Sequence, residues 1–137
     1  MSSKIFVNLP VKDLKRSMDF FTSLGFTFNP QFSDETAACM VIGPDNFAML
    51  LTHKKFGEFC TKKIIDATTS VEVLVAVSFD SRERVDEIMA AALKSGGGEP
   101  HPARDHGFMY QRSFDDPDGH TWEVFYMDES AIPTAVS

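Results

Sequence analysis

Phe114-Asp115-Asp116-Pro117-Asp118-Gly119-His120-Thr121-Trp122-Glu123-Val124 is the stretch from which this chain is best read. Pro117 sets φ and Gly119 tolerates positive φ, so the segment reads as a tight hairpin that fixes the register of the strand after it. Strand alternation then puts Thr121, Glu123 and Phe125 on one face and Trp122, Val124 and Tyr126 on the other. With Trp122 packed against helices, Glu123 points to the opposite, concave side of the sheet. A carboxylate there is costly unless it meets water, a metal or a donor. The run Asp115, Asp116, Asp118 lacks the spacing of a calcium loop and reads as turn.

Working outward, this hairpin closes a unit that is written twice. The second copy opens with a β-rich strand, Val71 to Phe79. Asp80 is its expected helix N-cap, with Glu83 completing a capping box. Val85, Ile88, Met89, Ala92 and Leu93 make the helical stripe, which Gly96-Gly97-Gly98 ends. A weak strand near Glu99 to His101 precedes the strands Phe108–Phe114 and Thr121–Met127. The first copy has the same grammar. A strand over 4–11 is followed by Asp13 as N-cap, then Leu14, Met18 and Phe21 on one helix face, and Gly25 as the stop. Strands Phe26–Phe28, Ala37–Ile42 and Phe47–Thr52 follow, the last two joined by the turn Gly43-Pro44-Asp45-Asn46. The expected organisation is one domain over 1–137, with modules 4–53 and 71–128. A connector, 54–70, carries Phe56, Phe59, Cys60 and Ile64 on one face of a short surface helix; residues 129–137 read as a loose tail.

The 137 residues suit one compact domain with a real core. A net charge of −7 argues against nucleic acid, whose phosphates would be repelled. No apolar run approaches the ~18 residues of a membrane span, and Met1-Ser2-Ser3-Lys4 leads directly into a strand with no signal-peptide pattern, so a cytoplasmic location is expected. Cys39 and Cys60 read as free thiols, Cys39 buried.

Three stretches carry a family resemblance. Val11-Lys12-Asp13-Leu14-Lys15-Arg16-Ser17-Met18-Asp19-Phe20-Phe21 with Leu24-Gly25-Phe26 resembles the opening motif of the vicinal-oxygen-chelate proteins: the glyoxalases, bleomycin resistance proteins and extradiol (ring-cleaving) dioxygenases. The 114–124 segment resembles their closing motif, and Val75 to Asp80 the start of their second module. The resemblance implies an α+β fold of two βαβββ modules forming a curved mixed sheet, a homodimer, and chemistry of the lactoylglutathione lyase kind. Metal-dependent members hold a divalent ion through His and Glu at four strand positions. Carried over, these fall on Phe6, Leu50, Leu74 and Glu123, of which only Glu123 can bind a metal. Glu72 shares a strand face with Leu74, and Thr52 with Leu50; His53 points away from both. No cofactor is therefore expected, and a divalent metal is the less favoured alternative.

Around Glu123, the expected ligand cleft is apolar, lined by Phe6, Asn8, Leu50, Thr52, Leu74 and Phe125, and suited to a small, flat or greasy molecule. Glu123 is the candidate general base, with Tyr110 or His106 as orienting donors. Arg112 alternates with Tyr110 and is a candidate partner for Glu123 or for a ligand carboxylate. His53, His101 and His120 read as surface or turn residues, and an exposed loop is the favoured reading even of His106. Three functions follow: a glyoxalase-like lyase or isomerase working by proton abstraction, a non-catalytic protein sequestering an antibiotic or metabolite, and a metal-dependent lyase or dioxygenase with a non-standard ligand set. No phosphate-cradling Gly loop, dinucleotide fingerprint or Ser-His-Asp arrangement is present.

Overall fold

In a computed structural model that describes residues 3–132, the repeated grammar becomes repeated topology. The first module runs β1 (Ile5–Val11), α1 (Leu14–Ser23), β2 (Thr27–Asn29), β3 (Ala37–Gly43) and β4 (Asn46–Thr52). A one-turn helix α2 (His53–Gly57) leads into an irregular connector. The second module runs β5 (Val75–Phe79), α3 (Arg82–Lys94), β6 (Arg104–Asp105), β7 (Met109–Asp115) and β8 (Thr121–Met127). The sheets have orders β1-β4-β3-β2 and β5-β8-β7-β6, the same path twice. In each, the outer strand pairs parallel to the last and the remaining pairs are antiparallel.

Helix α1 starts where Asp13 accepts a hydrogen bond from the Arg16 amide. Helix α3 starts one residue later than its sequence suggests: Ser81, not Asp80, accepts from the Arg84 amide, and Glu83 lies in the first turn. Val85, Ile88, Met89 and Ala92 are buried as the periodicity requires, whereas Leu93 is 43% exposed at the edge of the stripe. The strand expected over 71–79 is paired only from Val75, opposite Trp122. Earlier residues have no partner because the neighbouring chain has already turned into the hairpin. The weak strand near 99–101 reduces to a single bridge, Gly98 to Asp115, with β6 forming further on. Part of the expected tail forms a 3-10 turn, Glu129–Ala131, and 133–137 lie outside the described residues.

Both modules contribute to one core. Phe20 and Phe21 of α1 reach across to the second sheet, where Phe21 lies 5.1 Å from the Trp122 ring and Phe20 5.7 Å from Phe114. Phe114 and Trp122 stack nearly parallel at 6.2 Å. Rings of this size dominate core energetics. Where the third helix ends, a Cβ on Gly97 would meet the Ala92 and Asp115 carbonyl oxygens at 2.9 Å, so only glycine lets the chain pass.

The 116–119 hairpin ties the modules together. Asp116 is buried and accepts from the Asp118 and His120 amides and from the Trp122 indole N–H. Its burial pushes its carboxyl up to about 6, against the opposing field of His120 and the indole bond. Asp118 accepts from the Lys12 amide at 2.8 Å and from the Ser17 hydroxyl at 3.1 Å. Gly119, at φ +91°, packs against Ala67 of the connector, where a Cβ would collide with backbone.

Candidate functional site

On β8 the alternation holds: Trp122 and Val124 are 1% exposed in the core, and Glu123 points to the other face. The residue is nonetheless only 9% exposed, because neighbouring side chains enclose it. Gln111 donates its amide to Oε2 at 2.9 Å. The His101 Nε2 lies 3.7 Å from Oε1. That same nitrogen is 2.7 Å from the hydroxyl of Ser113, the residue paired across the strands with Glu123. The other His101 nitrogen, Nδ1, is 3.1 Å from the Pro102 carbonyl, which can only accept, so Nδ1 carries the hydrogen. In the neutral ring Nε2 is then a bare acceptor for the Ser113 hydroxyl. In the protonated ring it is a donor facing Glu123. The arrangement is a carboxylate with one oxygen clamped and the other beside a group that can give or take a proton.

The expected partners of Glu123 lie elsewhere. Tyr110 and Arg112 alternate as read, but on the Trp122 side of the sheet, because β7 pairs Tyr110 with Tyr126 and Arg112 with Val124. Tyr110 donates to Asp86 at 2.6 Å. Burial, reinforced by that bond, raises the Tyr110 hydroxyl above its ordinary value, and the same bond heads the causes that lower Asp86. Arg112 bridges Asp86 and Glu99. His106 is exposed on the β6–β7 turn, with its amide on the Met109 carbonyl and its ring 6.5 Å from Phe108. The residues that do meet Glu123 are His101, read from sequence as exposed between two prolines, and Gln111 and Ser113. Alternation with Tyr110 and Arg112 was the one signal for Gln111 and Ser113, and His101 had none.

The expected cleft divides in the same way. Phe6 and Asn8 share the open face of the first sheet, with Phe6 stacked on Phe47 at 4.7 Å. Leu50 is fully buried on the opposite, core-facing side, and Thr52 shares that side and caps α2. The reason is register: β1 sets Asn8 beside Met49 and Leu9 beside Leu50, so Met49 and Leu51 hold the positions assigned to Leu50 and Thr52. Leu74 lies just outside β5 and is 55% exposed. Phe125 is half-buried on the Glu123 face.

A well-formed cleft opens beside the open face of β1, under the connector and against the 119–121 end of the hairpin. It encloses about 260 Å³. Of the expected cleft residues it contains Asn8 alone; Phe56, Cys60, Ile64 and Ile65 wall it from the connector side, and Val71 and Val73 from the approach to β5. His120 lines it too, its ring fixed by a 2.7 Å hydrogen bond from Nε2 to the Pro10 carbonyl. Phe59, expected on the packed face of the connector, is 72% exposed instead.

The bleomycin resistance protein-like N-terminal family matches residues 4–43. Among solved structures, a hypothetical protein of S. aureus superposes with a TM-score of 0.77 at 26% identity, over 92% of this chain and 95% of that one. A glyoxalase-related enzyme from Fulvimarina pelagi gives 0.76 at 18% identity, over 92% and 88%. A glyoxalase/bleomycin resistance protein/dioxygenase family enzyme from Burkholderia phytofirmans gives 0.74 at 14%, over 92% and 99%. The chain has the α+β fold of these glyoxalase/bleomycin resistance/dioxygenase structures, and the family match falls within its first module. No curated protein sequence matches it.

The four positions that the resemblance assigns to a metal do not fit an ion here. Phe6, Leu50 and Leu74 offer hydrocarbon, with Leu50 turned into the core, and Glu123 already holds Gln111. Glu72, the acidic residue nearest to rescuing the set, lines the connector cleft. Among the described residues no three His, Cys, Asp or Glu side chains converge as a metal site. Nor, among them, is any helix long and apolar enough to cross a membrane.

Proposed function

We propose that this chain belongs to the glyoxalase/bleomycin resistance/dioxygenase superfamily and acts on a small carbonyl compound by proton abstraction, with Glu123 as general base. The reading rests on one observation: an almost buried carboxylate on the open face of the second sheet, with Oε2 held by Gln111 and Oε1 beside His101. In the step, Oε1 takes the proton from the carbon next to the carbonyl. The C–H electron pair becomes the C=C bond as the carbonyl π pair moves onto oxygen to give an enolate, and Glu123 returns a proton to the same carbon as the carbonyl re-forms. Gln111 keeps the carboxylate aimed, and the His101 ring packs beside Oε1. Positioned acid–base groups of this kind contribute about 10²–10⁴-fold.

A second reading has its own support: the connector cleft is apolar and lacks Glu123, as a sequestering protein requires. We further propose a homodimer. Ile5, Phe6 and Leu74 are exposed along β1 and at the start of β5, each an edge strand of its sheet, and a second copy would cover them.

Hydrogen–deuterium exchange of a panel of 2-oxo and 2-hydroxy carbonyl compounds, followed by proton NMR, tests the main reading. The wild type should wash out the α-proton and Glu123→Gln should not. Equal exchange by both proteins overturns it. Ligand binding without exchange in the wild type selects the sequestering function. Sedimentation velocity tests the dimer.

A further inference from the structure

We propose that the connector cleft is a binding site for a small apolar anion, a short hydrocarbon chain or flat ring ending in a carboxylate or sulfonate. This goes beyond the Glu123 reading and does not depend on it. The volume of about 260 Å³ lies just below the ~300–1,000 Å³ of pockets that hold drug-sized ligands, so the occupant is small. Its walls are hydrocarbon: Phe56, Ile64, Ile65, Val71 and Val73.

The polar groups at its edge favour negative charge. Lys62 and Lys63 both line it, and neither makes an ion pair among the described residues. Glu72 is the single carboxylate of the lining, so cations outnumber it two to one in a chain of net charge −7. An anion whose tail fills the apolar walls and whose head meets the two ammonium groups uses both the hydrocarbon and the excess of cations. A neutral molecule leaves both lysines unused, and a cation meets them as like charges.

The probe is octanoate, titrated calorimetrically into the full chain, with octanol and octyltrimethylammonium as neutral and cationic controls of equal tail. Octanoate should bind tightest and weaken with added salt. Lys62→Ala/Lys63→Ala should weaken it about five- to tenfold while leaving octanol unchanged. Val73→Trp, placed at an exposed rim position, should block octanoate and octanol alike, and Glu123→Gln should alter neither. Octanol or the cation binding as tightly as octanoate overturns the proposal, as does unchanged octanoate affinity in the double-lysine variant. No octanoate binding to a wild type shown by sedimentation to be a dimer also overturns it, since the cleft is then the seat of a second copy.

Discussion

The two modules follow one path and differ on one face. On their core-facing sides both sheets carry hydrocarbon: Leu9, Val11, Ala48 and Leu50 in the first, Val77, Phe114, Trp122 and Val124 in the second. On their open sides they diverge. The first sheet shows Phe6, Phe47, Met49 and Leu51, and the connector covers part of that surface. The second shows Gln111, Ser113, Ser78 and Glu123. A duplicated fold keeps the face that both copies need for a shared core and frees the other for function. In the function proposed above, the apolar open face holds a ligand's body and the polar one moves the proton.

The largest test of the shared core is Trp122→Ala. Loss of the ring between Phe21 and Phe114 should destabilise the chain by about 3–5 kcal/mol, in a single urea transition because both modules rest on it. Two separate transitions would mean that the modules are independent. Asp116→Asn comes next, at about 1–3 kcal/mol, since an amide cannot accept all three N–H groups that now converge there. The same variant sharpens the electrostatics. With the folded carboxyl raised to about 6 above an ordinary value of 3.8, its contribution is fully present below the ordinary value and lost as pH rises through about 6. The urea midpoint of the wild type should carry that downward slope and Asp116→Asn should lack it.

Smaller effects separate the helix starts. Ser81→Ala should lose about 1 kcal/mol and Asp80→Ala almost nothing, read by thermal unfolding. Smallest is the acid response of the second sheet's edge. The Arg82 hydrogen bond, with help from the Gly107 amide, holds Asp105 down to about 2. That contribution is present above 3.8 and lost as pH falls through about 2, so the β6 amides should lose exchange protection only in that acid range. The first sheet has no such pair on β2 among the described residues and should show no matching loss.

Much of the fold was legible because its signals are local. A cap, a helical stripe and a Gly stop lie within a dozen residues of one another, and the period of 2 in β8 put Trp122 and Glu123 on opposite faces before any partner strand was known. The candidate site was legible only in its centre. Tyr110 and Arg112 were read onto the strand that crosses Glu123, yet which of 110–112 or 111–113 shares its face depends on how β7 slides against β8. A one-residue shift exchanges the two sets. His101 was out of reach of pattern altogether, since a residue between two prolines carries no periodicity to say what it folds back upon.

Residue order alone was sufficient for two helices, the strands that flank them, the hairpin at 116–119 and the burial of Trp122, because each follows from backbone chemistry and spacing within a few positions. Register and long-range contact assigned the rest. Leu50 went to the core instead of the cleft because Leu9 pairs with it, and Glu123 received Gln111 and His101 instead of Tyr110 and His106. The connector closed a cleft that its own residues do not announce. Which face a strand shows is a relation between segments far apart in the chain, and it comes into being only when they are packed together.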